Sequence, residues 1–207
     1  NILPLSEDER ITAMLPVHAY SEDEYVFMAT SNGTVKKTPL VDFSRPRTSG
    51  LIAIELEEGN TLVGAAVTNG ASDVMLFQSG GRAIRFKEQD VRAMGRTARG
   101  VRGIKLPANT EVISLIIPNP EGMILLASQN GYGKLTEVSQ FSTIGRGGQG
   151  VIAIKISERN GALVGASQVE SVDEVLLISD QGTMVRTRVQ EVSMQGRNTQ
   201  GVRLINV

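Results

Sequence analysis

The chain has 207 residues, 41% of them apolar, with 22 glycines, no cysteine and a formal charge of −1. Without cysteine there is neither a disulfide framework nor a thiolate zinc site, and no apolar run approaches the ~20 residues that span a bilayer. Aromatic residues make up only 4%, so many tight turns and a core of Val, Ile, Leu and Met are expected.

In chain order, Asn1 to Arg10 is polar and acidic, unlike a signal peptide. The missing initial Met reads as an excised piece, and Ile2-Leu3-Pro4-Leu5 as the end of a strand whose repeat lies upstream. Four similar segments follow. Each opens with an apolar strand: Ile11 to Val17, Leu62 to Val67, Val112 to Ile117 and Leu163 to Val169. A second apolar run ends in a turn at Asn32-Gly33, Gly80-Gly81, Asn130-Gly131 or Gln181-Gly182, read as a two-residue hairpin turn of positive φ. A third strand leaves that turn, as in Thr34 to Leu40 or Arg82 to Glu88. After a loop of roughly ten residues, a fourth strand starts at a second glycine and covers Leu51 to Leu56, Val101 to Leu106, Val151 to Ile156 or Val202 to Val207.

The turn glycines Gly33, Gly81, Gly131 and Gly182 are 48, 50 and 51 residues apart, and Gly50, Gly100, Gly150 and Gly201 are 50, 50 and 51 apart. Four strands every ~50 residues mark a radial array of blades, each burying its faces on its neighbours. The predicted fold is all-β, a propeller-like array of four-stranded antiparallel blades. It forms a single domain over 1–207, with repeats near 11–56, 60–106, 110–156 and 161–207 and residues 1–10 as a remnant. A β-sandwich is the runner-up, disfavoured by the regular period.

The charges are sorted by the repeat. The windows 33–50, 81–100, 131–150 and 182–201 hold 15 of the 21 Lys and Arg but five of the 22 acids, a net +10 against −11 elsewhere. Equivalent segments lie at equivalent radius, so third strands and loops are expected to form one basic track for a polyanion. Lys37, Arg85 and Arg186 recur four residues after the turn glycine; Arg96, Arg146 and Arg197 recur four before the second glycine. Arg45 and Arg47 compensate for Pro46 in the first repeat. Gly95-Arg96-Thr97-Ala98-Arg99-Gly100, Gly145-Arg146-Gly147-Gly148-Gln149-Gly150 and Gly196-Arg197-Asn198-Thr199-Gln200-Gly201 share a pattern whose glycines would let backbone amides approach a phosphate. The alternative for each glycine is a plain turn, and for each cation a solvated face or a guarded edge. The DNA-binding set is Lys36, Lys37, Arg45, Arg47, Arg82, Arg85, Arg92, Arg96, Arg99, Lys134, Arg146, Gly147, Gly148, Arg186, Arg188 and Arg197. Contacts spread around a rim suit the duplex backbone and its bending rather than base readout, and Phe86 and Tyr132 are too few for a single-strand platform.

Catalytic chemistry has no foothold. His18 is the only histidine, which removes a triad or a two-His metal site. Glu57-Glu58 and Asp173-Glu174 fall in turns, Gly145 to Gly150 lacks the Lys-Ser/Thr of a P-loop, and Tyr20, Tyr25 and Tyr132 have no acid cluster beside them. No catalytic residue, metal, cofactor or small-molecule substrate is expected. The competing class is a protein-interaction propeller working through its acidic face.

Asp8-Glu9-Arg10-Ile11-Thr12-Ala13, Phe27-Met28-Ala29-Thr30, Asn32-Gly33-Thr34-Val35-Lys36-Lys37-Thr38, Val91-Arg92-Ala93-Met94-Gly95, Gln129-Asn130-Gly131-Tyr132-Gly133-Lys134 and Gly196 to Val202 together resemble the C-terminal domain of the DNA gyrase A subunit over essentially the whole chain. The resemblance implies a β-pinwheel whose blades exchange strands, with duplex DNA wrapped on the rim in a positive superhelical turn. It implies a bacterial, cytoplasmic, nucleoid-associated enzyme that supercoils DNA negatively with ATP. The partners would be the N-terminal catalytic part of the same subunit, which holds the tyrosine, and the ATPase subunit. The family's box, Gln-Arg/Lys-Arg-Gly-Gly-Arg/Lys-Gly, is matched only in part by Ile144 to Gly150, where Gln149 replaces a base. The full box would lie upstream. The similar domain of topoisomerase IV, which lacks a good box, is the close alternative.

Overall fold

The computed structural model describes residues 5–207, so Ile2 to Pro4 of the expected remnant strand lie outside the described residues. β1 (Tyr25–Thr30) and β2 (Thr34–Pro39) form a first hairpin. β3 (Leu62–Thr68) leads to a second, β4 (Asp73–Gln78) and β5 (Arg82–Lys87), and then to the short β6 (Val101–Arg102). The same order recurs as β7 (Val112–Ile116), β8 (Met123–Ser128), β9 (Tyr132–Glu137) and β10 (Val151–Ile152). It recurs again as β11 (Leu163–Val169), β12 (Glu174–Ile178), β13 (Met184–Arg188) and β14 (Val202–Arg203).

The sheets do not follow the repeats as drawn from the sequence. Each hairpin takes the opening strand of the next repeat on one edge and that repeat's short closing strand on the other, giving the orders β3-β1-β2-β6, β7-β4-β5-β10 and β11-β8-β9-β14. The register sets Met28 opposite Ala65, Val35 opposite Val101 and Ala83 opposite Val151. β12 and β13 pair only with each other among the described residues. The blades therefore exchange strands. The strands expected over Ile11 to Val17 and Leu51 to Leu56 do not form, because no described sheet lies beside them to supply a ladder. The other closing strands keep two residues each rather than six.

The hairpin turns also differ from expectation. Ser31-Asn32-Gly33 is a three-residue loop closed by the Gly33 amide on the Thr30 carbonyl at 3.0 Å. Only the glycine has positive φ, +87°. A right-handed turn followed by one left-handed residue satisfies the strand twist as well as a primed turn, and it asks nothing special of Asn32.

The core lies between sheets, and period-2 alternation builds it. Val74 and Leu76 of β4 face the first sheet beside Phe27, Val35 and Phe86, whereas Met75 and Phe77 face the third beside Ile124, Leu126 and Phe141. Phe27 and Phe86 meet at 6.4 Å between ring centroids, Phe77 and Phe141 at 6.0 Å. A smaller cluster of Leu125, Leu135, Val169, Val189 and Val192 joins the third sheet to the last hairpin. Among the described residues no helix is long and apolar enough to cross a membrane.

Candidate nucleic-acid interface

Each third strand ends in a 3-10 turn, at Leu40–Phe43, Glu88–Asp90, Val138–Gln140 and Val189–Glu191, from which the long loop departs. The loop does not run free. Met94 donates to the Lys37 carbonyl at 2.8 Å, Ile144 to Arg85 at 2.9 Å and Gln195 to Leu135 at 2.9 Å. The second, third and fourth loops are thus each laid over the third strand of the preceding blade. The closing glycine of each makes this possible: a Cβ on Gly150 would collide with the Ala83 carbonyl, and one on Gly201 with that of Gly133. Gly100, Gly150 and Gly201 serve this close approach, not contact with a ligand.

The overlay corrects the expected track, because Lys36, Lys37, Arg85 and Lys134 of the third strands lie beneath the loops. Lys36 and Lys134 are 0% exposed and Lys37 is 6% exposed. Lys37 donates to the Glu88 carbonyl at 3.1 Å, lies 3.8 Å from the Glu88 carboxylate and covers the Tyr25 ring at 4.8 Å. Arg85 donates from Nε to Asp73 Oδ2 at 2.7 Å and from NH1 to the carbonyls of Val138 and Phe141. Burial alone would raise the Asp73 pKa, but hydrogen bonds from Lys87 and Arg85, with their charges, hold it below the usual carboxylate range. Arg186 is exposed, but it and Arg188 share Glu174. These cations are spent on structure or on acids.

The loop arginines form a second repeating device. Arg96 NH1 donates to the Ile52 carbonyl at 3.2 Å, Arg146 NH1 to Arg102 at 2.8 Å and Arg197 NH1 to Ile152 at 2.9 Å. Each acceptor stands two residues after a second glycine of the preceding repeat. A guanidinium has five N–H groups, so a staple of this kind leaves further donors unused. Arg146 also reaches the Asp90 carbonyl from Nε, and Arg82 holds the carbonyls of Gln149 and Gly150. The Gly147 amide is occupied by the Gly103 carbonyl at 2.7 Å, so it is not a free donor. A Cβ on Gly148 would meet nothing within 4 Å, which leaves its backbone approachable.

Arg45, Arg47 and Arg92 are exposed and have no carboxylate partner among the described residues. Arg45, Arg47 and Arg96 line one shallow groove with Asp42, between the first and second loops. Arg99 is paired with Glu55 at 2.9 Å and Glu57 at 3.6 Å, whose carboxylates raise its pKa through a hydrogen bond and then through charge.

Sequence reasoning missed the closing strands. Exposed Arg102 and Lys105 flank the third loop, with the Lys105 amide on the Gly148 carbonyl at 2.8 Å. Lys155 flanks the fourth loop in the same way through Thr199. Arg203 and Arg159 each lie over the Tyr132 ring, 4.7 Å from its centroid. The position five residues after the second glycine (Glu55, Lys105, Lys155, Asn206) carried the signal, just outside the charge windows. Among the described residues no cluster of three or more His, Asp or Glu is arranged for a metal.

The family model for the DNA gyrase C-terminal domain, beta-propeller, matches residues 24–69, 72–119, 122–170 and 173–207. The chain belongs to that family. The matched unit runs from hairpin to next opening strand, the same offset that the sheets show. Curated relatives agree: the DNA gyrase A subunit of Salmonella typhimurium is 58% identical over 205 residues, covering 99% of this chain and 23% of the relative. That of Pseudomonas aeruginosa is 52% identical, covering 100% of this chain and 27% of the relative. The chain therefore spans about a quarter of the length of the curated relatives it matches. Among solved structures, the C-terminal domain of DNA topoisomerase IV superposes with a TM-score of 0.92 at 25% identity, over 99% of this chain and 64% of that one. The DNA gyrase A C-terminal domain gives 0.86 at 27%, over 99% and 69%.

Proposed function

We propose that the chain binds duplex DNA by its phosphates along the loop rim, without reading sequence and without catalysing a reaction. The observation that carries this reading is the regular overlay of loops on preceding blades. We read Arg45 and Arg47 of the first loop, Arg92 and Arg96 of the second, Arg146 of the third with Arg102 and Lys105 beside it, and Arg197 of the fourth with Lys155 beside it, as one succession of cations. Phosphate contacts of this kind position a duplex and favour its bending. Within the longer protein, the bent duplex would be wrapped and passed to the N-terminal catalytic part. The ATPase subunit would then drive negative supercoiling in the bacterial cytoplasm. Identities of 58% and 52% to DNA gyrase A relatives favour gyrase over topoisomerase IV.

The test is a salt titration of duplex binding. With ~6–8 phosphates contacted, log affinity should fall against log salt with a slope of roughly −5 to −7. The triple change Arg45→Glu, Arg47→Glu and Arg92→Glu should weaken binding to every sequence alike and flatten that slope by about 3. A salt-independent affinity, or an unaltered triple variant, would reject the rim. Capture of a basic protein that survives the triple change would point to the acidic face instead.

A further inference from the structure

Two fully buried lysines have no carboxylate beside them. Lys36 Nζ donates to the Ala53 carbonyl at 2.6 Å and to the Arg96 carbonyl. Lys134 Nζ donates to the carbonyls of Gly196 at 2.6 Å and Arg197 at 2.7 Å, and to Thr199 Oγ1 at 3.0 Å. The equivalent residue in the second blade is Ile84, also buried. An apolar side chain therefore fills this place in the same fold, and a buried charge is a poor source of stability.

The loop peptides explain why a charge stands there. Among the described residues no peptide bond is cis, and in a trans peptide the N–H points opposite to the C=O. With the Arg96 carbonyl drawn inward to Lys36, the Thr97 amide faces away from the core. With the Gly196 and Arg197 carbonyls drawn inward to Lys134, the amides of Arg197 and Asn198 do the same. None of these three amides has a hydrogen-bond partner among the described residues, and Thr97 and Asn198 are exposed. Each lies beside a stapled arginine that keeps spare donors. We propose that Lys36 and Lys134 build two phosphate-binding sites on the rim, at Thr97 with Arg96 and at Arg197-Asn198, by holding the adjacent carbonyls inward. The inference rests on the DNA reading above. The lysines are positioning residues that touch no ligand, and each leaves an uncompensated positive charge under its site, where screening by water is weak. The third loop has no such post, and its Gly147 amide is already used.

The charges acting on the two ammonium groups are those of Arg96 on Lys36 and Arg197 on Lys134. Burial and then that repulsion push both lysines down to about 8. Two opposite pH trends follow. The folded chain binds fewer protons than the unfolded chain between about 8 and 10.5, so stability should rise over that range. Affinity for DNA should fall as pH rises through about 8, because neutral amines lose the charge and loosen the carbonyls.

The experiment measures binding of a fluorescent ~40-base-pair duplex to the intact chain from about pH 7 to 9.5 at fixed ionic strength, beside thermal melts. The wild type should lose about tenfold in affinity across that range while its melting temperature does not fall. Lys36→Met with Lys134→Met should bind about tenfold more weakly at neutral pH and show a flat pH profile. A wild-type affinity that is flat across pH 8 overturns the inference, even where the double variant does not fold. So does a folded double variant that binds as tightly as the wild type. If the wild type binds no duplex at all, the functional reading itself falls, which is a separate result.

Discussion

The second and fourth blades carry the same ionic triad in different surroundings. In the second, Asp73 receives Arg85 at 2.7 Å and Lys87 at 2.5 Å, and the carboxylate side chain is 7% exposed. In the fourth, Glu174 receives Arg186 and, at 3.8 Å, Arg188, with side-chain exposures of 37%, 72% and 62%. Position, spacing and charge are matched. Only the cover differs: Val138, Phe141 and Thr143 of the following loop close over Asp73 and Arg85, and no described segment does so over Glu174. An ion pair takes its worth from what excludes water around it, so the letters alone do not state it.

The sharpest way to break this contrast is Asp73→Asn. It strands a buried guanidinium and should cost about 3 kcal/mol, the low end for a buried pair because Lys87 remains half-exposed; urea unfolding midpoints measure it. Acid supplies the next test. Asp73 titrates below its ordinary 3.8 in the folded chain, so the folded state binds fewer protons. Its contribution is complete above about pH 4 and lost as pH falls through the lower folded value. Wild-type midpoints should drop steeply there, and the Asp73→Asn midpoints should lack that limb.

A smaller effect of opposite kind is expected from Glu174→Gln. It releases Arg186 and Arg188 on an open surface, so duplex affinity at low salt should rise about two- to fivefold and the gain should vanish as salt screens it. Folded Asp73→Asn should gain less than Glu174→Gln, since it frees only Lys87 while Arg85 stays under its loop. The smallest effect is on the stability of Glu174→Gln, under about 1 kcal/mol. A larger loss would mean that the fourth triad is covered after all.

The repeat, the all-β class and the four hairpins were legible because a glycine with positive φ or no room for a Cβ leaves a mark that no other residue can fake. Gly33, Gly81 and Gly131 are all of this kind. Strand exchange came from the family resemblance and not from the repeat, since a period near 50 is the same whether Val101 closes its own blade or the one before. The candidate site divided along a similar line. Arg96, Arg146 and Arg197 were found by their recurrence, but their grip on Ile52, Arg102 and Ile152 depends on residues about 45 positions earlier. Lys36 and Lys134 were read as rim contacts because a lysine on an alternating strand looks outward until a distant loop is laid over it. Arg102, Lys105 and Lys155 were passed over because the windows stopped at the glycine before them.

The borrowed closing strand also bears on how the chain is made. Thr34 pairs with Arg102, so the first sheet cannot be finished until nearly all of the following repeat has left the ribosome. At ~5–20 residues per second the β2 edge waits for about 3–15 s. During that interval its unpaired N–H and C=O groups are open to any passing strand. Synthesis therefore proceeds with one unfinished edge always trailing the newest hairpin, and nascent chains crowded on one message risk trading closing strands with each other.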